Sequence, residues 1–149
     1  MKRVFQMKTL FLSALLCAIG FGAKAQIADA TNNMPCDVVV RFYAIDPITC
    51  ATLATDPGPY IIPSGAGPLF LPAAWVPGPP VTQYFIVAEV AYAACGFPGV
   101  LVGSGGICGY VPTAPIPPCP PCKNGVVDNP GPIFPPGSGG VHYPLNVHP

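Results

Sequence analysis

Polar and apolar residues alternate along two stretches of the chain, residues 37–44 and 81–92. In the first stretch Val38, Val40 and Phe42 fall on one side, and polar or aromatic residues fall on the other. In the second, one side is formed by Tyr84, Ile86, Ala88, Val90 and Tyr92. Alternation with period two among β-branched residues is typical of half-buried strands. Both stretches are therefore predicted to be β-strands.

Shorter apolar segments extend this pattern. They lie at residues 60–62, 69–71, 100–102 and 107–111, and turns rich in glycine and proline separate them. Several short strands divided by such turns predict an all-β fold, either a small antiparallel β-sandwich or a partly open barrel. No segment after residue 25 shows a helical stripe of useful length, and proline is excluded from helix interiors.

The first 25 residues have the pattern of a secretory signal peptide. A basic start is followed by a largely apolar run at residues 10–21 and by Ala23-Lys24-Ala25, which fits a cleavage site before Gln26. The apolar run is shorter than the roughly 20 residues needed to span a bilayer. We therefore expect a secreted protein, extracellular or periplasmic, with no stable membrane insertion after signal removal.

Composition divides the rest of the chain. Residues 26–35 are predicted to be a short linker, residues 36–111 the β-domain, and residues 112–149 an irregular, extended arm rich in proline and glycine. The arm and one proline-bounded loop contain the weak binding candidates, which are Ile133, Phe134, Tyr143 and Trp75. An extended arm loses little backbone entropy on binding, which fits a recognition element. The alternatives, a spacer or a cover packed on an edge of its own domain, are together slightly favoured over it.

Charge excludes two classes of partner. Beyond residue 25 the chain has only two basic residues, Arg41 and Lys123, against six acidic ones, a net charge of −4. Binding of nucleic acid needs clustered Lys and Arg to displace counterions from phosphate, and attraction to anionic lipid needs a similar cluster. We therefore expect no nucleic-acid partner; a protein or a surface polymer remains possible.

Six cysteines lie beyond the signal peptide. They are Cys36, Cys50, Cys95, Cys108, Cys119 and Cys122. An even count in an exported chain predicts a disulfide framework, for which six cysteines allow 15 connectivities. We predict Cys36–Cys50 and Cys95–Cys108, because each pair brackets a short loop, of 15 and 14 residues. Alternatives that use Cys119 or Cys122 stay open.

The motif Cys119-Pro-Pro-Cys122 allows three interpretations: a redox centre, half of a zinc site, or a structural anchor. A thioredoxin-like site needs a strand before it and a helix after it, and the flanking residues fit neither. Zinc needs a second close pair of ligands, which the chain lacks, so no metal or cofactor is expected. Polyproline geometry separates the two Cα atoms by roughly 9 Å, beyond the ~7 Å that a disulfide tolerates. We therefore expect the two cysteines to reach different partners and to anchor the arm. The less favoured alternative is a tight turn with a cis Pro120-Pro121 peptide, which would bring the two cysteines together.

No catalytic constellation is predicted. The serines beyond residue 25 lie in Gly/Pro turns, both histidines lie within eight residues of the C-terminus, and Glu89, the only glutamate, is expected on a solvated strand face. The expected function is that of a secreted non-enzymatic interaction or structural module at the cell surface or in the extracellular space. The alternatives are a small secreted ligand-binding or inhibitor-like protein and, third, an exported thiol–disulfide oxidoreductase using Cys119 and Cys122.

Overall fold

The computed structural model describes residues 27–72, 84–103, 105–129, 131 and 142–149, which form ten strands in two sheets. The predicted all-β class is confirmed. The strands are β1 Ile27–Asn32, β2 Val38–Ile45, β3 Thr52–Thr55, β4 Tyr60–Ile62, β5 Leu69–Pro72, β6 Phe85–Tyr92, β7 Val100–Gly103, β8 Thr113–Ile116, β9 Gly125–Asp128 and β10 His142–His148.

The first sheet, sheet A, has the order β5-β1-β10-β9-β8. Its centre is a parallel pair, β1 beside β10, and its other neighbours are antiparallel. The second sheet, sheet B, has the order β3-β2-β6-β7, and β4 also pairs with β2. β3 and β4 share one side of β2: β3 pairs with its last three residues and β4 with its first three.

Asp56 fills the gap between β3 and β4. Its backbone N–H donates to the carbonyl of Phe42 at 3.0 Å, and its carboxylate accepts the N–H of Phe42 at 2.9 Å. The carboxylate also accepts the N–H of Gly58. The side chain therefore completes the hydrogen bonding of β2 where neither short strand reaches it.

The two sheets share one hydrophobic core. The inward residues predicted for β2 and β6 are buried as expected, with Val38, Val40 and Val90 fully inaccessible and Phe42 at 2% exposure. Sheet A contributes the buried side chains Ala30, Ile116, Val127, Leu145 and Val147.

Residues 112–149 differ from the predicted arm. They contain β8, β9 and β10, which form sheet A together with β1 from the predicted linker and with β5. Pro115 is tolerated because β8 is an edge strand, and Pro144 precedes the three residues of β10 that pair with β9. The described part of this segment is therefore integral to the fold rather than an extension from it.

One predicted strand, residues 107–111, is wrong. Its first residues form a single 3-10 turn, Ile107–Gly109. The glycine before this turn and the glycine that ends it both have positive φ, Gly106 at 80° and Gly109 at 79°. These left-handed residues turn the backbone away from an extended course. Residues 81–83 of the long predicted strand lie outside the described residues, and β6 is described from Phe85.

Candidate interaction surface

The Cys119-Pro-Pro-Cys122 motif forms a tight turn in the connection from β8 to β9. Cys119 and Cys122 exchange backbone hydrogen bonds of 3.1 and 2.6 Å, and the Pro120-Pro121 peptide is cis. Their sulfurs nevertheless reach different partners, as predicted: Cys119 is bonded to Cys95 and Cys122 to Cys36. The turn therefore lacks the internal Cys-x-x-Cys disulfide of a thioredoxin-like site.

These two disulfides cross-link one end of sheet B to the β8–β9 connection of sheet A. Cys36 lies just before β2 and Cys95 just after β6, and the start of β2 is in register with the end of β6. The buried Tyr92 adds to the same junction, because its hydroxyl donates to the carbonyl of Lys123 at 2.6 Å. The motif thus has the anchoring role expected of it, within the fold rather than at the base of an arm.

The predicted pairs Cys36–Cys50 and Cys95–Cys108 are wrong, since Cys50 is bonded to Cys108. Cys36 and Cys50 lie at opposite ends of β2, whose eight residues span roughly 26 Å at 3.3 Å per residue. Cys95 follows β6, whereas Cys108 follows the antiparallel β7 and lies toward the other end of β6. A disulfide bridges no more than ~7 Å between Cα atoms.

The four weak binding candidates do not form a site. Trp75, Ile133 and Phe134 lie outside the described residues. Tyr143 lies in β10 and points into the core with 8% exposure, and burial raises its pKa to about 12. Tyr143 is therefore a core residue and not an exposed anchor.

The outward side of sheet B, here called the outer face, presents a different set of side chains. Arg41 and Glu89 lie directly opposite each other on β2 and β6, and Leu101 of β7 lies opposite Glu89. Ile61 of β4 lies opposite Val39 on the same side. All of these alternate with core residues, so they point away from the core.

The polar groups at the centre of the outer face are held in place. The Glu89 carboxylate accepts the Tyr43 hydroxyl at 2.6 Å and the N–H of Gly99 at 3.1 Å. The Arg41 guanidinium lies over the Phe97 ring, 4.6 Å from its centroid. Burial and the hydrogen bond to Glu89 raise the pKa of Tyr43. This arrangement preorganises one cation and one anion side by side.

Aliphatic side chains flank this pair on both sides. Ile61 is 63% exposed, Leu101 44% and Leu53, on β3, 37%. Leu53 shares the outward side because its neighbour Ala54 pairs with the inward Ala44. Sequence reasoning missed this surface, although a signal was present: in β4 and β7 the middle residue is as apolar as its neighbours, which predicts strands that are apolar on both sides.

Two loops cover the ends of the outer face. Residues 93–99 supply Phe97 and the N–H of Gly99 at one end. At the other end, residues 105–110 carry Cys108 and Tyr110, which pack on an apolar cluster of Ile45, Phe85 and Val87. The Phe85 and Tyr110 rings meet edge-on with centroids 5.9 Å apart. The uncovered part of the outer face is therefore its central band.

Three other carboxylates, those of Asp37, Asp46 and Asp56, accept backbone hydrogen bonds. Asp37 accepts the N–H of Ser64 at 2.8 Å, and Asp46 accepts those of Ile48 and Thr49, which lowers its pKa. Burial raises the pKa of Asp56. These carboxylates therefore stabilise the conformation of loops. Within the described residues, no three His, Cys, Asp or Glu side chains are grouped so that they could hold a metal ion.

Comparison of the chain with known protein families, curated proteins and solved structures finds no match. Among the described residues there is no helix of sufficient length and apolarity to span a bilayer. The three disulfides of this small all-β fold are typical of proteins that mature in an oxidising compartment.

Proposed function

We propose that this protein is a secreted, non-enzymatic interaction module of the cell surface or extracellular space, and that it binds a protein or a surface polymer through the outer face of sheet B. The predicted signal peptide and the disulfide framework support export. Low charge and a rigid, cross-linked β-scaffold favour contact through a preformed surface.

One observation carries the proposal: Ile61, Leu101 and Leu53 are exposed on one side of one sheet, around a fixed Arg41–Glu89 pair. Exposed aliphatic side chains scattered over a whole surface need no explanation, whereas these three share one side of one sheet, and we take that shared side as the interaction site. Arg41 and Glu89 are also the only arginine and the only glutamate beyond residue 25. An aliphatic surface with one cation and one anion at fixed positions offers affinity through burial and orientation through charge.

The test compares retention of the exported protein on immobilised polymers and matrix proteins: chitin, cellulose, peptidoglycan, collagen and fibronectin. The variants are the double substitution Ile61→Ser with Leu101→Ser and, as matched control, Ile48→Ser. Ile48 is an isoleucine with 83% exposure, but it lies in the loop between β2 and β3 rather than on the outer face.

We expect at least one ligand to retain the native protein and the control, and the double variant to bind it at least tenfold more weakly. Circular dichroism and thermal unfolding should be unchanged, because exposed residues are replaced. Retention that is equal in the double variant, or no retention by any ligand, would contradict the proposal.

A further inference from the structure

We propose, beyond the binding function above, that the Cys50–Cys108 disulfide is a site of thiol–disulfide exchange. In the folded protein a small dithiol reductant opens this disulfide ahead of the other two. Its opening frees residues 105–110 from the apolar cluster of Ile45, Phe85 and Val87 beneath them.

The backbone on both sides of this disulfide is in an unfavourable conformation. Cys50 has a φ of 59° and Cys108 a φ of 56°, and they are the only described residues other than glycine with positive φ. The left-handed region is disfavoured for residues with a Cβ atom and persists where surrounding structure enforces it. Opening the disulfide lets both residues relax, a gain that the other four cysteines do not offer.

Solvent access to the attacked sulfur and the exposure of the thiolate that leaves also favour reduction of the Cys50–Cys108 disulfide. Cys50 is exposed and Cys108 half-buried, so attack on Cys50 expels a thiolate that keeps contact with water. Cys95 is also exposed, but attack there expels the thiolate of Cys119, which is 3% exposed. Burial disfavours a thiolate and thus slows exchange.

The third disulfide is protected in the same way. Cys36 is half-buried, and attack on its sulfur expels Cys122, which is 6% exposed. Each of the two disulfides at the Cys119–Cys122 turn therefore has a buried leaving group, whereas Cys50–Cys108 has none.

The exchange balances with the dithiol as the sole co-reactant. One thiolate of the reductant attacks the Cys50 sulfur, the S–S bond breaks, and the Cys108 thiolate takes a proton from water. The second thiol of the reductant loses its proton and attacks the mixed disulfide, which releases the Cys50 thiolate for protonation. The protein gains two electrons and two protons, and the reductant leaves as a cyclic disulfide.

The consequence is local because of how residues 105–110 are held. Their hydrogen bonds Gly106 N–H to Tyr110 carbonyl and Tyr110 N–H to Ile107 carbonyl, both 3.1 Å, lie within the segment itself. The disulfide ties the segment to the loop between β2 and β3. The other two disulfides lie at the opposite end of sheet B and keep the sheets joined.

The test uses the native, folded protein with limiting dithiothreitol, iodoacetamide quenching at successive times and peptide mapping by mass spectrometry. We expect Cys50 and Cys108 to be alkylated at least tenfold faster than any other cysteine. In denaturant this order should disappear, because the fold imposes it. Alkylation of Cys36, Cys95, Cys119 or Cys122 at an equal or faster rate in the folded protein would overturn the proposal.

Release of residues 105–110 is measured separately, by hydrogen exchange and by the binding of an apolar dye. After selective alkylation, hydrogen exchange should increase at least tenfold for residues 105–110 while the amides of β2 and β6 stay protected, and binding of an apolar dye should increase. The double variant Cys50→Ser with Cys108→Ser should match the alkylated protein in both measurements. Unchanged exchange at residues 105–110 in both would show that the disulfide does not hold the segment.

Discussion

Gly99 lies where the chain after β6 passes against the backbone of that strand. A Cβ atom at this position would meet the carbonyl oxygen of Val90 at 2.2 Å and its carbonyl carbon at 2.5 Å. Both contacts are backbone atoms, so rotation of a side chain cannot relieve them. The N–H of Gly99 also donates to Glu89, so this close approach positions the anion of the outer face.

We therefore predict that Gly99→Ala destabilises the protein by about 1–3 kcal/mol, the usual effect of overpacking. The control is Gly105→Ala, because a Cβ atom there meets nothing within 4 Å and the backbone φ is not positive. Urea unfolding of the disulfide-intact proteins measures both. Equal stability of the two variants would show that the loop after β6 yields to the added methyl group.

At the scale of strands, β9 and β10 are joined by an ion pair as well as by their backbones. The Nε2 of His148 lies 2.8 Å from the Asp128 carboxylate. This hydrogen bond raises the pKa of His148, and hydrogen bonds from Thr113 and His148 lower the pKa of Asp128. A raised histidine pKa stabilises the fold fully below the unfolded value of about 6.5, and this stabilisation is lost as pH rises through the folded pKa.

We predict that Asp128→Asn moves the pKa of His148 down toward that unfolded value, as followed by NMR titration of its ring protons. The stability difference from the native protein should be about 1 kcal/mol or less, because both side chains are partly exposed, and it should be largest below the folded pKa of His148. Asp46→Asn, which alters an acid in the loop after β2, should leave the titration unchanged. An unaltered His148 pKa in Asp128→Asn would contradict the role of the pair.

Strands differ in how well the sequence predicts them. β2 and β6 are long, and each has apolar residues at every second position with a charged residue on the opposite side, so both strands were predicted and their buried sides are those expected. β10 alternates too, since Tyr143, Leu145 and Val147 point inward, but Pro144 interrupts the pattern. Whether proline is tolerated depends on which neighbour needs its N–H, and that is a property of the sheet order, not of the local sequence.

At the scale of the whole molecule, the disulfide pairing is likewise decided by the arrangement of the strands and not by the local sequence. Loop length favoured neighbouring cysteines, but the pairing depends on which strand ends meet in space. The separate partners of Cys119 and Cys122 were predicted, but from an extended polyproline geometry; the structure instead has a tight turn with a cis Pro120-Pro121 peptide. The outer face was not predicted, because short strands that are apolar on both sides leave open which side becomes the core.

The parallel pairing of β1 with β10 determines how the protein would respond to mechanical force. The two strands are paired over six residues and run in the same direction. Tension between the start of β1 and the end of β10 therefore pulls them in opposite directions along their axes and loads all their hydrogen bonds together, in shear.

Once these strands separate, tension passes directly through the Cys36–Cys122 bond, which closes the chain between those residues. Only residues outside 36–122 can then lengthen. We predict a single rupture in force spectroscopy, followed by a short extension that grows when reductant is added. Gradual peeling at low force, or an extension unaffected by reductant, would contradict this. A molecule built in this way yields a short length of chain under load, while the strands of sheet B and their outer face stay within the part of the chain that the Cys36–Cys122 bond closes.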